Sequence, residues 1–478
     1  MTTPAHLAID MGAESGRVII GSLANGRLEI DEAHRFNHLP VDLPTGLHWD
    51  TTGILREITA GLTAAARRCA ERGLTPTTVG ADTWGVDYAL LDPSRELLGL
   101  PHCYRDPRTA PHYDAAIEKL GKPRIYGRTG IQFMSLNTLY HVMAAQADTP
   151  GLLERATHML FMPDVIHFFL CGELAVERTI ASTSQMLDID GRWSTDLLAQ
   201  LGLPTHMLHA PVEPGTTLGT LRQSLAEATG LPADLNVVLP GSHDTASAVA
   251  AVPADPADGN SCYLSSGTWS LLGVERDTPD TSDAALAAGF TNEAGVGGKF
   301  RFLKNISGLY IVQEIRRDLA RHGDEFEYPT LTKLAEEAAG FETTLDANDP
   351  RFGTPGDMPD KLRAAAEETG QPAPQTPGEL VRCALLSLAK CYADTIQQLR
   401  DLGNTIDRLH LVGGGGKNQL LNQLTADATG LPVVVGPTEA TAIGNLLTQA
   451  FGGSADSLTK IREVVRASTE LSEVNPTR

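Results

Sequence analysis

Asp244 stands in the run Gly241-Ser-His-Asp-Thr245, between an apolar strand-like segment at 236–239 and a helical segment from Thr245. A carboxylate at a strand end is well placed to act as a general base. Phosphoryl transfer asks for little more from a protein. The acceptor hydroxyl must be positioned and its proton accepted, while metal and backbone donors neutralise the phosphates. Asp is equally a preferred helix N-cap, so at this level both roles stay open.

Three glycine-bearing turns are candidates for holding the phosphates. In Asp10-x-Gly12-x-x-x-Gly16-Arg17, Asp10 ends a strand and can position Mg²⁺ through water, Gly12 admits close backbone approach and Arg17 adds a positive charge. Ser265-Ser-Gly-Thr268 offers hydroxyls and backbone N–H groups after another strand. Gly413-Gly-Gly-Gly416 joins a strand to a helix, where the lack of side chains lets adenine or a phosphate lie against the backbone. Each also reads as an ordinary turn. Neither GxxxxGK[ST] nor a strand–GxGxxG–helix is present, so P-loop and Rossmann binding are unsupported. Trp84, in Asp82-Thr-Trp-Gly-Val-Asp87, is either a core residue or a platform for the apolar face of a sugar.

Two similar blocks of elements must position these residues. Strands are expected at 5–10, 17–23 and 27–32, with a turn at Asn25-Gly26. Asp50 is expected to cap a helix carrying Ile54, Leu55, Ile58, Leu62 and Ala66. Further strands at 78–84 and 88–91 precede a mostly helical stretch from 111 to 230. Val252-Pro-Ala-Asp-Pro-Ala-Asp-Gly259 reads as a linker dividing domains 1–251 and 252–478. The pattern then restarts with strands at 261–265, 268–274 and 299–304, followed by helices near 307–320, 330–339, 360–369 and 378–402. It closes on strand 409–412, helix 418–429, strand 433–435 and helix 439–450. Leu7–Arg17 is partly echoed by Cys262–Ser270, and alternating elements in two blocks argue for two α/β lobes.

A net charge of −21 argues against a broad nucleic-acid or anionic-membrane footprint, though a local ATP pocket is compatible with it. Met1–His6 lacks a secretory signal pattern, and Val165–Cys171 is too short to span a bilayer. Six cysteines form no CxxC pair; Cys383 and Cys391, roughly 12 Å apart on one helix, are beyond disulfide reach. His206-x-x-His209 lacks a third ligand nearby and reads as a loop. The expectation is a reduced, cytoplasmic protein.

Taken together, Asp10–Arg17, Asp82–Asp87, Tyr104-Arg-Asp106, Ser242–Ala248, Leu264–Ser270, Lys304-Asn305 and Val412–Gly415 resemble the FGGY carbohydrate kinases over nearly the whole chain. The resemblance implies an α/β protein of two actin-like (ribonuclease H-like) lobes with an interlobe nucleotide and sugar cleft, using ATP and Mg²⁺ on a small sugar. It is close to the branch that phosphorylates L-rhamnulose on its 1-hydroxyl. Another ketose kinase, such as one for L-fuculose, and a non-catalytic actin-like switch are the alternatives. By the same resemblance, Asp244 is the proton acceptor. Gly85, Trp84, His243, Asp244, Thr245 and Asn305 are expected at the sugar. Ala13, Glu14, Ser15, Gly16, Arg17, Thr268, Gln313 and Gly414 are expected at ATP. Glu14 departs from the Ser or Thr common in that turn, so its side chain is expected to point away from phosphate or toward the metal.

Overall fold

The computed structural model describes residues 3–477. It divides into two units. The first runs to Ala251 and takes in Glu275–Phe302 and Ala440–Ser468; the second holds Val252–Val274, Leu303–Glu439 and the chain from Thr469. The single cut expected near residue 252 is thus complicated by two returning segments. Periodicity locates elements but carries no information about which neighbours they choose.

The first unit is built on strands β1 (Thr3–Met11), β2 (Ser15–Ala24), β3 (Arg27–Asn37), β4 (Leu74–Thr83), β5 (Thr217–Thr220) and β6 (Asn236–Val238). They lie in the order β5-β6-β4-β1-β2-β3. The β1-β2-β3 pairings are antiparallel, whereas β1-β4 and β4-β6 are parallel. Helix α1 (Thr51–Glu71) covers one face. Asp50 caps it by accepting from Gly53 N at 2.8 Å. Its apolar stripe of Ile54, Ile58, Leu62, Ala65 and Cys69 is buried with Leu7, Ile9, Val18, Ile20 and Val79. Each fully buried Ile, Leu or Val side chain stabilises the fold by about 1.5–3 kcal/mol.

Two later helices complete this unit's site: α2 (Asp244–Ala250) and, from the second returning segment, α5 (Ala440–Phe451). They pack closely because Gly444 has no side chain: a β-carbon there would lie 1.8 Å from the Ser247 carbonyl oxygen. The polar residues of α5 satisfy groups on the sheet. Gln449 Nε2 donates to Leu7 O at 2.9 Å, and Asn445 Nδ2 donates to Asp82 Oδ2 at 2.6 Å. The stretch 111–230 is less uniformly helical than expected. His158–Phe161 forms a strand against Tyr88–Leu91, and Val176–Glu177 pairs with Pro211–Val212.

The second unit repeats the plan with β7 (Ser261–Ser266), β8 (Trp269–Arg276), β9 (Phe300–Ser307), β10 (Arg408–Val412), β11 (Val433–Val435) and β12 (Ser472–Val474), in the order β9-β8-β7-β10-β11-β12. The last two residues of β8, the first three of β9 and the strand Thr291–Ala294 beyond β9 belong to the returning segment Glu275–Phe302. Again an antiparallel hairpin, β7-β8, is followed by parallel neighbours β10 and β11. Helix α3 (Tyr310–Arg321) starts three residues later than expected because β9 runs on to Ser307. Helix α4 (Gln419–Thr429) is capped by Asn418, whose Oδ1 accepts from Leu421 N at 3.0 Å. The helix Pro377–Asp401 begins with a capping box formed by Thr376 and Glu379. Its Tyr392 hydroxyl lies 2.7 Å from Ser270 Oγ.

Candidate active site

In the first unit, three carboxylates come from three elements. Asp10 on β1 is the register partner of Asp82 on parallel β4 and of Arg17 on antiparallel β2. The Arg17 guanidinium forms an ion pair with Asp10, so this cation is committed at least partly within its own hairpin. Asp82 is completely buried. Burial, and then the charges of Asp10 and Asp244, hold its carboxyl well above the usual carboxylate range. Asn445 satisfies one oxygen; the other, Oδ1, has no hydrogen-bond partner.

The chain reaches Asp244 through a braced loop. Thr83 N, at the end of β4, donates to Ser242 O at 2.9 Å. Glu177 is buried and accepts from Ser242 N at 3.1 Å, from Thr179 N at 2.8 Å and from Ile180 N at 3.1 Å. Burial outweighs these donors and pushes the Glu177 carboxyl up to about 7. Thr179 Oγ1 in turn accepts from His243 N at 3.2 Å.

His243, not Asp244, is the N-cap residue of α2. Its carbonyl accepts from Ala246 N at 2.7 Å, and Asp244 is the first helical residue. The Asp244 carboxylate accepts from its neighbour, Thr245, through N at 2.5 Å and Oγ1 at 3.0 Å. Its side chain keeps 30% of its exposure in an otherwise buried surround. Asp244 is therefore not the cap residue, although its carboxylate accepts from one first-turn N–H of the helix. The His243 ring lies between Asp244 Oδ1, 3.4 Å from Nε2, and two buried groups beyond Nδ1. Those are Arg301 Nη2 at 3.0 Å and Glu293 Oε2 at 3.2 Å.

Gly85 adjoins the same ring: a β-carbon on it would lie 3.4 Å from His243 Nε2 and 3.3 Å from Thr183. The next residue, Val86, has φ +69°, and Asp87 N donates back to Gly85 O at 2.9 Å. A three-residue turn centred on a β-branched residue at positive φ is strained backbone. Two hydroxyls hold it. Val86 N donates to Thr183 Oγ1 at 3.1 Å, and Thr138 Oγ1 donates to Val86 O at 2.6 Å.

Trp84 is 5% exposed. It stacks on His38, with ring centroids 5.1 Å apart, and touches Trp49 at 4.4 Å. Its Nε1–H donates to Asp87 Oδ2 at 2.9 Å, beside the Trp49 Nε1–H on the same oxygen at 2.6 Å. These contacts occupy most of the indole with protein. They make it a wall that sets the Gly85 turn more than an open platform.

Ala13 and Glu14 lie in the β1-β2 turn, with Ser15, Gly16 and Arg17 opening β2. The turn is closed by Gly12 N donating to Ser15 O at 3.0 Å and tied to β3 by His38 N donating to Glu14 O at 3.1 Å. In the second unit, the turn Gly267-Thr268 is clamped to the start of α3. Leu309 N donates to Gly267 O at 3.0 Å and Tyr310 N to Thr268 O at 3.1 Å. Gln313 on α3 reaches Thr268 Oγ1 from Nε2 at 3.3 Å. The glycine run abuts the same turn: a β-carbon at Gly413 would lie 2.8 Å from Ser266 O, whereas one at Gly414 would meet nothing within 4 Å. Thr268, Gln313 and the Gly413–Gly416 run thus gather around one turn of the second unit. Asn305 lies on β9.

His206 and His209 are engaged separately, His206 Nε2 with Ala156 O at 2.8 Å and His209 Nε2 with His158 Nδ1 at 2.8 Å. All six cysteines are free thiols. Among the described residues no group of three or more His, Cys, Asp or Glu is arranged to hold a metal, and no helix is long and apolar enough to cross a membrane.

Sequence reasoning missed Glu177, Glu293 and Arg301. For Arg301 the signal was present, a charged residue within the apolar, strand-like run Phe300-Arg-Phe-Leu303; Glu177 and Glu293 stand among polar neighbours, in Val176-Glu-Arg-Thr179 and Thr291-Asn-Glu-Ala294, and offered no such signal.

Comparison with known proteins identifies the family. Residues 5–251 match the N-terminal domain of the FGGY family of carbohydrate kinases, and residues 262–453 match its C-terminal domain. A protein of Oceanobacillus iheyensis named rhamnulokinase is 40% identical over 469 residues, covering 98% of this chain and 97% of its own. A Bacteroides thetaiotaomicron protein of the same name is 41% identical, covering 98% and 95%. A gluconate kinase structure from Lactobacillus acidophilus superposes with a TM-score of 0.81 at 15% identity, over 100% of this chain and 94% of that one. The two repeated sheets are accordingly the two actin-like, ribonuclease H-like lobes of that fold. The chain belongs to the FGGY family of carbohydrate kinases.

Proposed function

We propose that the chain transfers the γ-phosphoryl group of ATP to the 1-hydroxyl of L-rhamnulose, giving L-rhamnulose 1-phosphate and ADP, a step in the breakdown of L-rhamnose. The observation that carries this reading is the Asp244 carboxylate. It is partly exposed, not the N-cap residue of its helix, and flanked by His243 and Gly85 in a braced, buried frame. The relatives named rhamnulokinase direct the choice of sugar.

In this reading Asp244 accepts the proton of the hydroxyl as its oxygen attacks phosphorus. Gly85, His243, Thr245 and Asn305 orient the ketose, with Trp84 fixing the Gly85 turn. Ala13–Arg17, Thr268, Gln313 and Gly414 contact the nucleotide. Mg²⁺ fits the donor set of the first unit. Asp82 Oδ1 is a buried oxygen without a hydrogen-bond partner, acted on by the charges of Asp10 and Asp244, and Mg²⁺ commonly uses one or two carboxylates, completing its shell with water and phosphate. When bound, it would neutralise charge on the phosphates. We place the reaction in the cytoplasm, in keeping with six unpaired cysteines.

The test is ADP release over a panel of L-rhamnulose, L-fuculose ketose, D-xylulose and glycerol. L-Rhamnulose should show the highest kcat/KM. Equal values for L-rhamnulose and glycerol would remove the substrate assignment.

A further inference from the structure

We infer that Arg301 and Glu293 are positioning residues that fix the tautomer of His243, so that its Nε2–H faces the sugar beside Asp244. The inference rests on the reading of Asp244 and His243 given above.

Arg301 is wholly buried, with 0% of its surface exposed, at the start of β9. A guanidinium in such a place needs partners. Its Nε donates to Ala294 O at 3.0 Å, and its Nη2 lies 3.0 Å from both Glu293 Oε2 and His243 Nδ1. Burial works against ionised Glu293, but the charge of Arg301 first, and then His243, hold its carboxyl below the usual range. The pair is therefore a buried cation and anion meeting at one histidine nitrogen.

Arginine can only donate. When Nη2 donates to His243 Nδ1, that nitrogen must present its lone pair, and the proton of the neutral ring sits on Nε2. Nε2 is the nitrogen next to Asp244 Oδ1 and the Gly85 backbone. A hydroxyl placed there can accept from Nε2–H while giving its own proton to Asp244. The reverse tautomer, with Nδ1–H donating to Glu293 at 3.2 Å, would turn a lone pair toward the sugar. Two acceptors would then compete for one hydroxyl proton. Arg301 selects between the two arrangements, and Glu293 keeps Arg301 in place. Buried charge is costly unless paired, so this pair is a substantial commitment for a single ring orientation.

The experiment reads the tautomer directly. Nitrogen-15 NMR of protein labelled at its 14 histidines, with His243→Asn to assign the signal, reports which ring nitrogen is protonated. The neutral wild-type ring should carry its proton on Nε2. In Arg301→Met the proton should move to Nδ1 against Glu293. That variant should lose at least tenfold in kcat/KM for the sugar, with the KM for ATP unchanged, and Arg301→Lys should recover part of it. An Nδ1–H tautomer in the wild-type protein overturns the inference without any variant having to fold. So does an Arg301→Met protein with wild-type sugar kinetics. If the wild-type protein phosphorylates no ketose, the functional reading fails, while the NMR result still decides the tautomer.

Discussion

Gly415 approaches Ser266 so closely that a β-carbon on it would lie 2.0 Å from the Ser266 hydroxyl oxygen, whereas its neighbour Gly414 faces open space. The glycine run therefore has two jobs. Gly413, with φ +90°, and Gly415 let the loop pack on the Ser265–Thr268 turn; Gly414 leaves backbone accessible.

The two jobs separate by mutation. Gly413→Ala should destabilise the protein by more than about 1 kcal/mol, because Ala is strained at that φ. Gly414→Ala should unfold at the wild-type urea midpoint yet raise the KM for ATP severalfold. A Gly414→Ala protein with unchanged ATP kinetics would remove Gly414 from the nucleotide site.

A second close approach governs the helix that carries Asp244. Gly444 on α5 meets the Ser247 carbonyl of α2, and a backbone atom cannot rotate out of the way. Gly444→Ala should cost about 1–3 kcal/mol by overpacking. It should also lower kcat, since α2 must shift to make room. Urea unfolding and steady-state kinetics on the same sample test both effects.

Much of this was legible in the sequence. Asp50 before a 3.6-residue stripe gave α1, and Cys262–Ser270 gave the second hairpin with its turn. What stayed hidden depends on long-range pairing. Nothing near Ala440 says that its helix returns to pack on β1 and α2, because Gly444 has meaning only against Ser247. Arg301 and Glu293 belong to the site through His243, which is 58 residues from Arg301 along the chain. At Asp244 the sequence leaves cap and base both open, because Asp is a frequent cap. The structure gives the cap position to His243, whose carbonyl begins the helix.

Asp87 makes stability depend on pH. Burial pushes its carboxyl up to about 7, against the donors Trp49, Trp84 and Tyr104 on its Oδ2. In the unfolded chain it ionises near 3.8. Between those values the unfolded chain releases a proton that the folded chain retains. Stability from this group therefore falls as pH rises from about 4 to about 7 and then levels off. Glu177, raised to about 7 in the same way, adds to the trend. Asp87→Asn keeps an oxygen for the indole donors and cannot ionise. Its stability relative to wild type should improve with pH by up to about 1.4 kcal/mol per unit, then hold constant above pH 7. Urea midpoints at pH 5, 6, 7 and 8 measure the difference, and a constant gap across that range would contradict it.

The proton acceptor is tested most directly at Asp244. A ketose hydroxyl has a high pKa, so at neutral pH it attacks phosphorus poorly unless its proton has somewhere to go. General-base action by a positioned carboxylate contributes roughly 10²–10⁴ in rate. Asp244→Asn changes little else. The amide has the size of the carboxylate, its oxygen can still accept from Thr245, and the His243 carbonyl begins α2 whatever residue follows. The variant should therefore unfold at the wild-type urea midpoint and keep the wild-type KM for ATP. Its kcat should fall by at least 10²-fold. The ratio of the two rates at saturating ATP and ketose is the measurement that decides. A well-folded Asp244→Asn protein turning over near the wild-type rate would mean that the hydroxyl loses its proton elsewhere, and the mechanism proposed for this site would fall with it.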